Sequence, residues 1–111
     1  MYDRLIRNIL TKEGKEGKIN VALMGDAGIR KLNRQFRHLD KPTDVLSFKM
    51  DEDGVLGDIA ISTETTRRQA QKYGAAYRSE LKRQVVHGVL HILAYDHGRR
   101  MTNAEKIYQK L

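Results

Sequence analysis

The 111-residue chain carries 21 Lys and Arg against 14 Asp and Glu, a formal net charge of +7, with 40% hydrophobic residues and no Cys or Trp. That length suits one small domain with a single core, and the apolar content is that of a folded protein rather than a disordered one. The lack of cysteine excludes disulfides and thiolate metal sites, and no apolar run reaches the ~20 residues of a membrane-spanning helix.

In chain order, Met1-Tyr2-Asp3-Arg4 opens an amphipathic stretch unlike a signal peptide, so a soluble, cytoplasmic protein with no membrane association is expected. Leu5, Ile6, Ile9 and Leu10 form a helical stripe ending near Gly14 and Gly17. Ile19, Val21 and Leu23 alternate as in a half-buried strand. Asp26 is placed to cap a helix carrying Ile29, Leu32, Asn33 and Phe36. Lys41-Pro42-Thr43 breaks the chain before a strand at Val45-Leu46-Ser47-Phe48; Asp51-Glu52-Asp53-Gly54 signals a turn, and Val55 to Ile61 returns as its partner. Ser62 or Thr63 opens a helix running through Tyr73 and stopped by Gly74. The next helix runs from about Tyr77 to Leu93, with Leu81, Val85, Val89 and Ile92 as core stripe and Glu80, Gln84, His87 and His91 as polar row. Thr102-Asn103-Ala104-Glu105 fits a capping box for a final short helix. The expected fold is α+β: one domain over residues 1–111, with a short mixed sheet of about three or four strands against helices and a central metal-binding helix.

The metal expectation rests on His87, His91 and His97, three of the four histidines in the chain. On a helix His87 and His91 share a face one turn apart, and a turn after the helix end can bring His97 to the same point. Three neutral imidazoles with an open fourth position suit a catalytic zinc ion better than a structural one; nickel also accepts imidazole. The spacing is that of a zinc-protease signature, but the position of that motif's general-base Glu is held by Gly88. A conventional peptidase mechanism is therefore disfavoured.

Charge is unevenly spread. Arg30, Lys31, Arg34, Arg37 and Lys41 face only Asp40, while Arg67, Arg68, Lys72, Arg78, Lys82 and Arg83 face only Glu80. Such asymmetry is an electrostatic footprint of nucleic-acid binding; its alternative is a solvated helix face. Arg34, Lys41 and His38 are candidate substrate contacts, with an ordinary loop histidine as the alternative for His38. Phe36, Tyr73, Tyr77 and Tyr95 lie near the basic clusters and read first as packing residues rather than stacking platforms.

Asn33-Arg34-Gln35-Phe36-Arg37, then Asp40-Lys41-Pro42-Thr43-Asp44-Val45-Leu46-Ser47-Phe48, Gly57-Asp58-Ile59 and the histidine run together resemble the bacterial YbeY family over most of residues 19–97. The resemblance implies a single-strand-specific, zinc-dependent endoribonuclease of rRNA (16S 3′ end) maturation and ribosome quality control, partnered by rRNA and the ribosome or ribosomal proteins. It implies His87, His91 and His97 as the ligands of one zinc ion and Arg37 as the functionally important arginine, whose planar fork suits a phosphate. An ion pair with Asp40 or Asp44 is the alternative for Arg37.

Zinc on three imidazoles lowers the pKa of bound water to about 7 and polarises a phosphoryl oxygen, with Arg37 holding the scissile phosphate. Water and the RNA 2′-hydroxyl both stand as the attacking group. Asp58 and Asp96 are candidates to orient a ligand imidazole, with a turn role as the alternative for Asp96. The chain departs from the family pattern at Ala94, where Gly is usual, and at Lys49, where Pro is common; a first strand is lacking and the carboxyl tail is short. If the turn at Ala94 is left-handed, it costs about 1 kcal/mol relative to Gly. A zinc metalloprotease-like hydrolase and a non-catalytic, zinc-stabilised ribosome assembly factor are the alternative functions.

Overall fold

The computed structural model describes residues 2–94 and 98–111. Its elements run α1 (Asp3–Lys12), β1 (Lys18–Met24), α2 (Asp26–Arg37), β2 (Val45–Glu52), β3 (Val55–Ser62), α3 (Thr63–Lys72), α4 (Tyr77–Ile92) and α5 (Arg99–Tyr108). The strands form one mixed sheet in the order β1-β3-β2, with β1 parallel and β2 antiparallel to the central β3. This is the expected α+β architecture.

The alternation of β3 decides which helices cover which face. Ile59 and Ile61 join a core with α1 (Leu5, Ile6, Ile9, Leu10), α4 (Val85, Val89, Leu90, Ile92) and α5 (Met101, Ala104, Tyr108). Ala60 instead packs with Leu46 and with Ile29 of α2 on the opposite face. Two glycines permit the close packing of α4. A Cβ on Gly57 would lie 2.5 Å from the Phe48 carbonyl and 2.8 Å from Ile92 Cδ1, and one on Gly88 would lie 2.9 to 3.1 Å from three atoms of Ile59.

Several boundaries differ from the expectation. β2 continues through Glu52, so the β2–β3 turn is only Asp53-Gly54, with φ of 52° and 79°, the positive pair of a type I′ hairpin. The extra residues are absorbed by an irregularity between Lys49 and Glu52, with Asp51 at φ 59°. The last helix begins at Arg99, three residues before the expected capping box; Thr102 lies inside it and its hydroxyl donates to the Gly98 carbonyl. The expected polar row of α4 is also split. Glu80 and Gln84 are buried, Glu80 accepting from Arg83 and Gln84 donating to Asp44 and Gln69. Burial of such groups is tolerated because they are hydrogen-bonded.

Asp26 does not cap its own helix. Gly25 is the N-cap, and the Glu64 carboxylate accepts from the Asp26 N–H at 2.8 Å. The Asp26 carboxylate instead ties α2 to α3, accepting from the hydroxyls of Ser62 and Thr65 and from Arg68 at 2.7 Å. These hydrogen bonds, Ser62 first, hold its pKa down at about 2 against an ordinary 3.8. A lowered folded-state pKa means stabilisation that is complete above pH 4 and lost as pH falls towards 2. Screened by solvent at the surface, Asp26→Asn is therefore expected to cost about 1 kcal/mol at pH 7. In urea denaturation, the gap to wild type should close between pH 4 and 2; a gap constant with pH would contradict the assignment.

Among the described residues no helix is long and apolar enough to cross a membrane.

Candidate metal and phosphate site

α4 places His87 and His91 one turn apart at the edge of its buried face, with ring centroids 5.2 Å apart and ring planes inclined by 58°. Both rings line a small cleft of about 150 Å³ whose other walls are Arg37, Val45, Leu46 and Ser47. β2 is held against α4 from both ends of this stretch. The Ser47 hydroxyl donates to the Gly88 carbonyl at 3.4 Å, and Asp44 accepts from the Val45 N–H, Gln69 and Gln84.

Arg37 reaches the cleft from the C-terminus of α2. Its Nη2 donates to the Ser47 carbonyl at 2.9 Å, and its guanidinium carbon lies 5.7 Å from the centre of the Phe48 ring. The chain then turns sharply through His38, at φ 58°, while Asn33 Nδ2 donates to the Lys41 carbonyl and secures the loop. The ion-pair alternative for Arg37 is not what the structure contains. Asp40 takes Arg30 through two bonds of 2.8 and 3.2 Å, and Asp44 is committed to β2 and α4. Arg34 lies 3.9 Å from Asp40 with its side chain 62% exposed, and His38 and Lys41 are exposed.

The second basic cluster is largely spent on structure. Arg67 stacks on Tyr77 at 4.2 Å, Arg68 pairs with Asp26, Arg83 with Glu80, and Lys82 donates to the Gln109 carbonyl. Phe36 and Tyr73, read first as packing residues, are instead 55% and 65% exposed.

The expectation for Asp58 is corrected. It alternates with Gly57 and Ile59 on β3, so it projects from the α2 face, away from the histidines, and accepts from Asn20 Nδ2 at 3.0 Å. Among the described residues a carboxylate beside His87 is Glu105 of α5, whose Oε1 lies 3.5 Å from His87 Nδ1. Sequence spacing carried no signal for this pair; only the packing of α5 on α4 creates it. Asp96, His97 and Tyr95 lie outside the described residues. Ala94, which leads towards them, has φ 68°, the left-handed conformation anticipated for that turn.

Among the described residues alone, no three metal-type ligands converge. The donor set nonetheless fits a borderline divalent ion. Two imidazoles face one cleft, and a carboxylate stands 3.5 Å from Nδ1 of His87. At position 88 itself no carboxylate is accommodated: the Cβ direction of Gly88 runs into Ile59, so a longer side chain there would enter the core.

A family model described as Endoribonuclease YbeY matches residues 1–110. The chain belongs to the YbeY endoribonuclease family. Proteins named Endoribonuclease YbeY are 42% identical in Persephonella marina, 43% in Desulfitobacterium hafniense and 46% in Aquifex aeolicus, over 82%, 87% and 72% of this chain. The chain spans 63%, 68% and 56% of the length of these curated relatives. The solution structure of TM1509 from Thermotoga maritima is similar at a TM-score of 0.75 and 33% identity, covering 96% of this chain and 75% of that one. The YbeY match takes in both walls of the cleft, the α2–β2 segment bearing Arg37 and the α4 segment bearing the histidines.

Proposed function

We propose that this chain is a metal-dependent, single-strand-specific endoribonuclease acting in the cytoplasm on rRNA (16S 3′ end) in maturation and ribosome quality control, with the ribosome or its proteins as partners. The observation that carries this reading is the shared cleft: an arginine held at one wall faces two helical histidines at the other. The YbeY relatives and the basic rim of α2 support RNA as the substrate class.

His87 and His91, with His97, would hold one zinc ion, and Glu105 would orient the His87 ring through Nδ1. When bound, zinc supplies Lewis-acid polarisation of the phosphodiester and lowers the pKa of water. Arg37, braced on the Ser47 carbonyl, directs its remaining N–H groups at a phosphate oxygen and stabilises the charge that builds up there. Arg34 and Lys41 add positive charge for the RNA backbone, with His38 as a further contact. Asp44 holds the Val45–Ser47 wall at the spacing this requires.

Zinc-loaded protein is expected to cleave a single-stranded RNA oligonucleotide. Activity should disappear with a chelator and return with zinc, and His91→Ala should lose at least about 100-fold while keeping its helical circular dichroism. Cleavage that survives both treatments would overturn metal dependence. Folded, zinc-loaded wild type that cleaves no RNA would favour the assembly-factor reading.

A further inference from the structure

The face of the sheet opposite the histidines is only partly covered by α2. Between them lies a groove of about 630 Å³ whose walls include Phe36, Phe48, Met50 and Met24, with Asn20 and Asp58 on its floor. Phe36 and Met50 are 55% and 46% exposed, unusual for two large apolar side chains lining one groove. Phe36 and Phe48 meet edge to face, with centroids 5.4 Å apart and planes at 63°.

We propose that this groove is a nucleobase subsite, holding an unpaired base of the RNA next to the phosphate bound by Arg37. The inference rests on the reading of the cleft as a ribonuclease site. Three observations support it. Ser47 and Phe48 are neighbours on edge strand β2, Ser47 in the cleft and Phe48 in the groove, and Arg37 sits at the strand edge touching both. A phosphate on Arg37 thus places its nucleoside one step away, over Phe48. Arg37, at the edge where Ser47 and Phe48 part, supplies beside the groove the cation that a polyanion requires. A second copy of this chain, at a net charge of +7, would bring like charge to Arg37. The floor is polar where a base edge needs it. Asn20 Nδ2 donates to Asp58 Oδ1 at 3.0 Å, which leaves Asp58 Oδ2 and the Asn20 carbonyl to accept from base N–H groups. Aromatic walls with a charged backbone track are the common design for single-strand binding.

The test is titration of zinc-loaded wild type, Phe36→Ala and Phe36→Tyr with a fluorescent single-stranded RNA oligonucleotide, alongside steady-state cleavage of the same RNA. Phe36→Ala should weaken binding about tenfold and raise KM in parallel, with kcat within about twofold and an unchanged melting temperature. Phe36→Tyr should restore binding, and an abasic oligonucleotide should bind wild type and Phe36→Ala alike. Equal RNA affinity of wild type and Phe36→Ala overturns the subsite, while wild-type cleavage would leave the ribonuclease reading standing. Affinity that depends on Phe36 in a protein that cleaves nothing would support the subsite and remove the ribonuclease reading. A sedimentation change in Phe36→Ala with RNA affinity unmoved would make the groove a contact between copies and overturn the proposal.

Discussion

Arg37→Ala is expected to lower kcat/KM for single-stranded RNA about 10²- to 10³-fold, the usual loss when a donor to developing oxyanion charge is removed. The side chain makes one bond within the protein, to the Ser47 carbonyl, at an exposed position. Its loss should therefore cost less than about 1 kcal/mol of stability, and zinc content should not change. Arg37→Lys should fall between alanine and wild type, because lysine keeps the charge but lacks the planar fork. Steady-state cleavage read beside metal analysis and a melting curve separates these effects. Unaltered cleavage by Arg37→Ala would remove Arg37 from the reaction, and a parallel loss of zinc would assign it to the metal site instead.

Gly88→Glu should abolish folding. The added side chain would start against three atoms of Ile59, a β3 residue only 1% exposed and packed in the core with α4. It would also bury a carboxylate in the core with no partner, a cost of several kcal/mol against a total stability of about 5–15 kcal/mol for a domain. Gly88→Ala isolates the steric part. Overpacking costs about 1–3 kcal/mol, and helix propensity returns up to about 1 kcal/mol, so a net loss of about 1–2 kcal/mol is expected. Thermal melts followed by circular dichroism check both. A cooperatively folded Gly88→Glu protein would show that the close approach of helix and sheet is not needed, and would reopen the peptidase reading.

The position of Gly88 shows two ways in which a residue was legible. As a sequence position it signalled only the lack of a general base; packing shows that no carboxylate fits there at all. The histidine pair, by contrast, was readable directly, because helical periodicity alone puts positions four apart on one face. The turn at Ala94 was readable too, since a chain leaving a helix commonly passes through a left-handed residue. Asp26 was misread as a cap because Asp at a helix start usually is one. Its real partners are the hydroxyls of Ser62 and Thr65 and the Arg68 guanidinium, all more than 30 positions away along the chain.

Short-range periodicity, turn chemistry and contiguous blocks of residues suffice for the order of the elements, the mixed α+β class, the family and the facing of His87 with His91. Tertiary structure alone decided that Arg37 enters the histidine cleft, that Glu105 comes to His87, that Asp58 turns to the opposite face and that Phe36 stays exposed beside Phe48. Those outcomes depend on which face of β3 each helix covers and how closely α4 approaches it. Such contacts join residues far apart in the chain, and no local pattern encodes them.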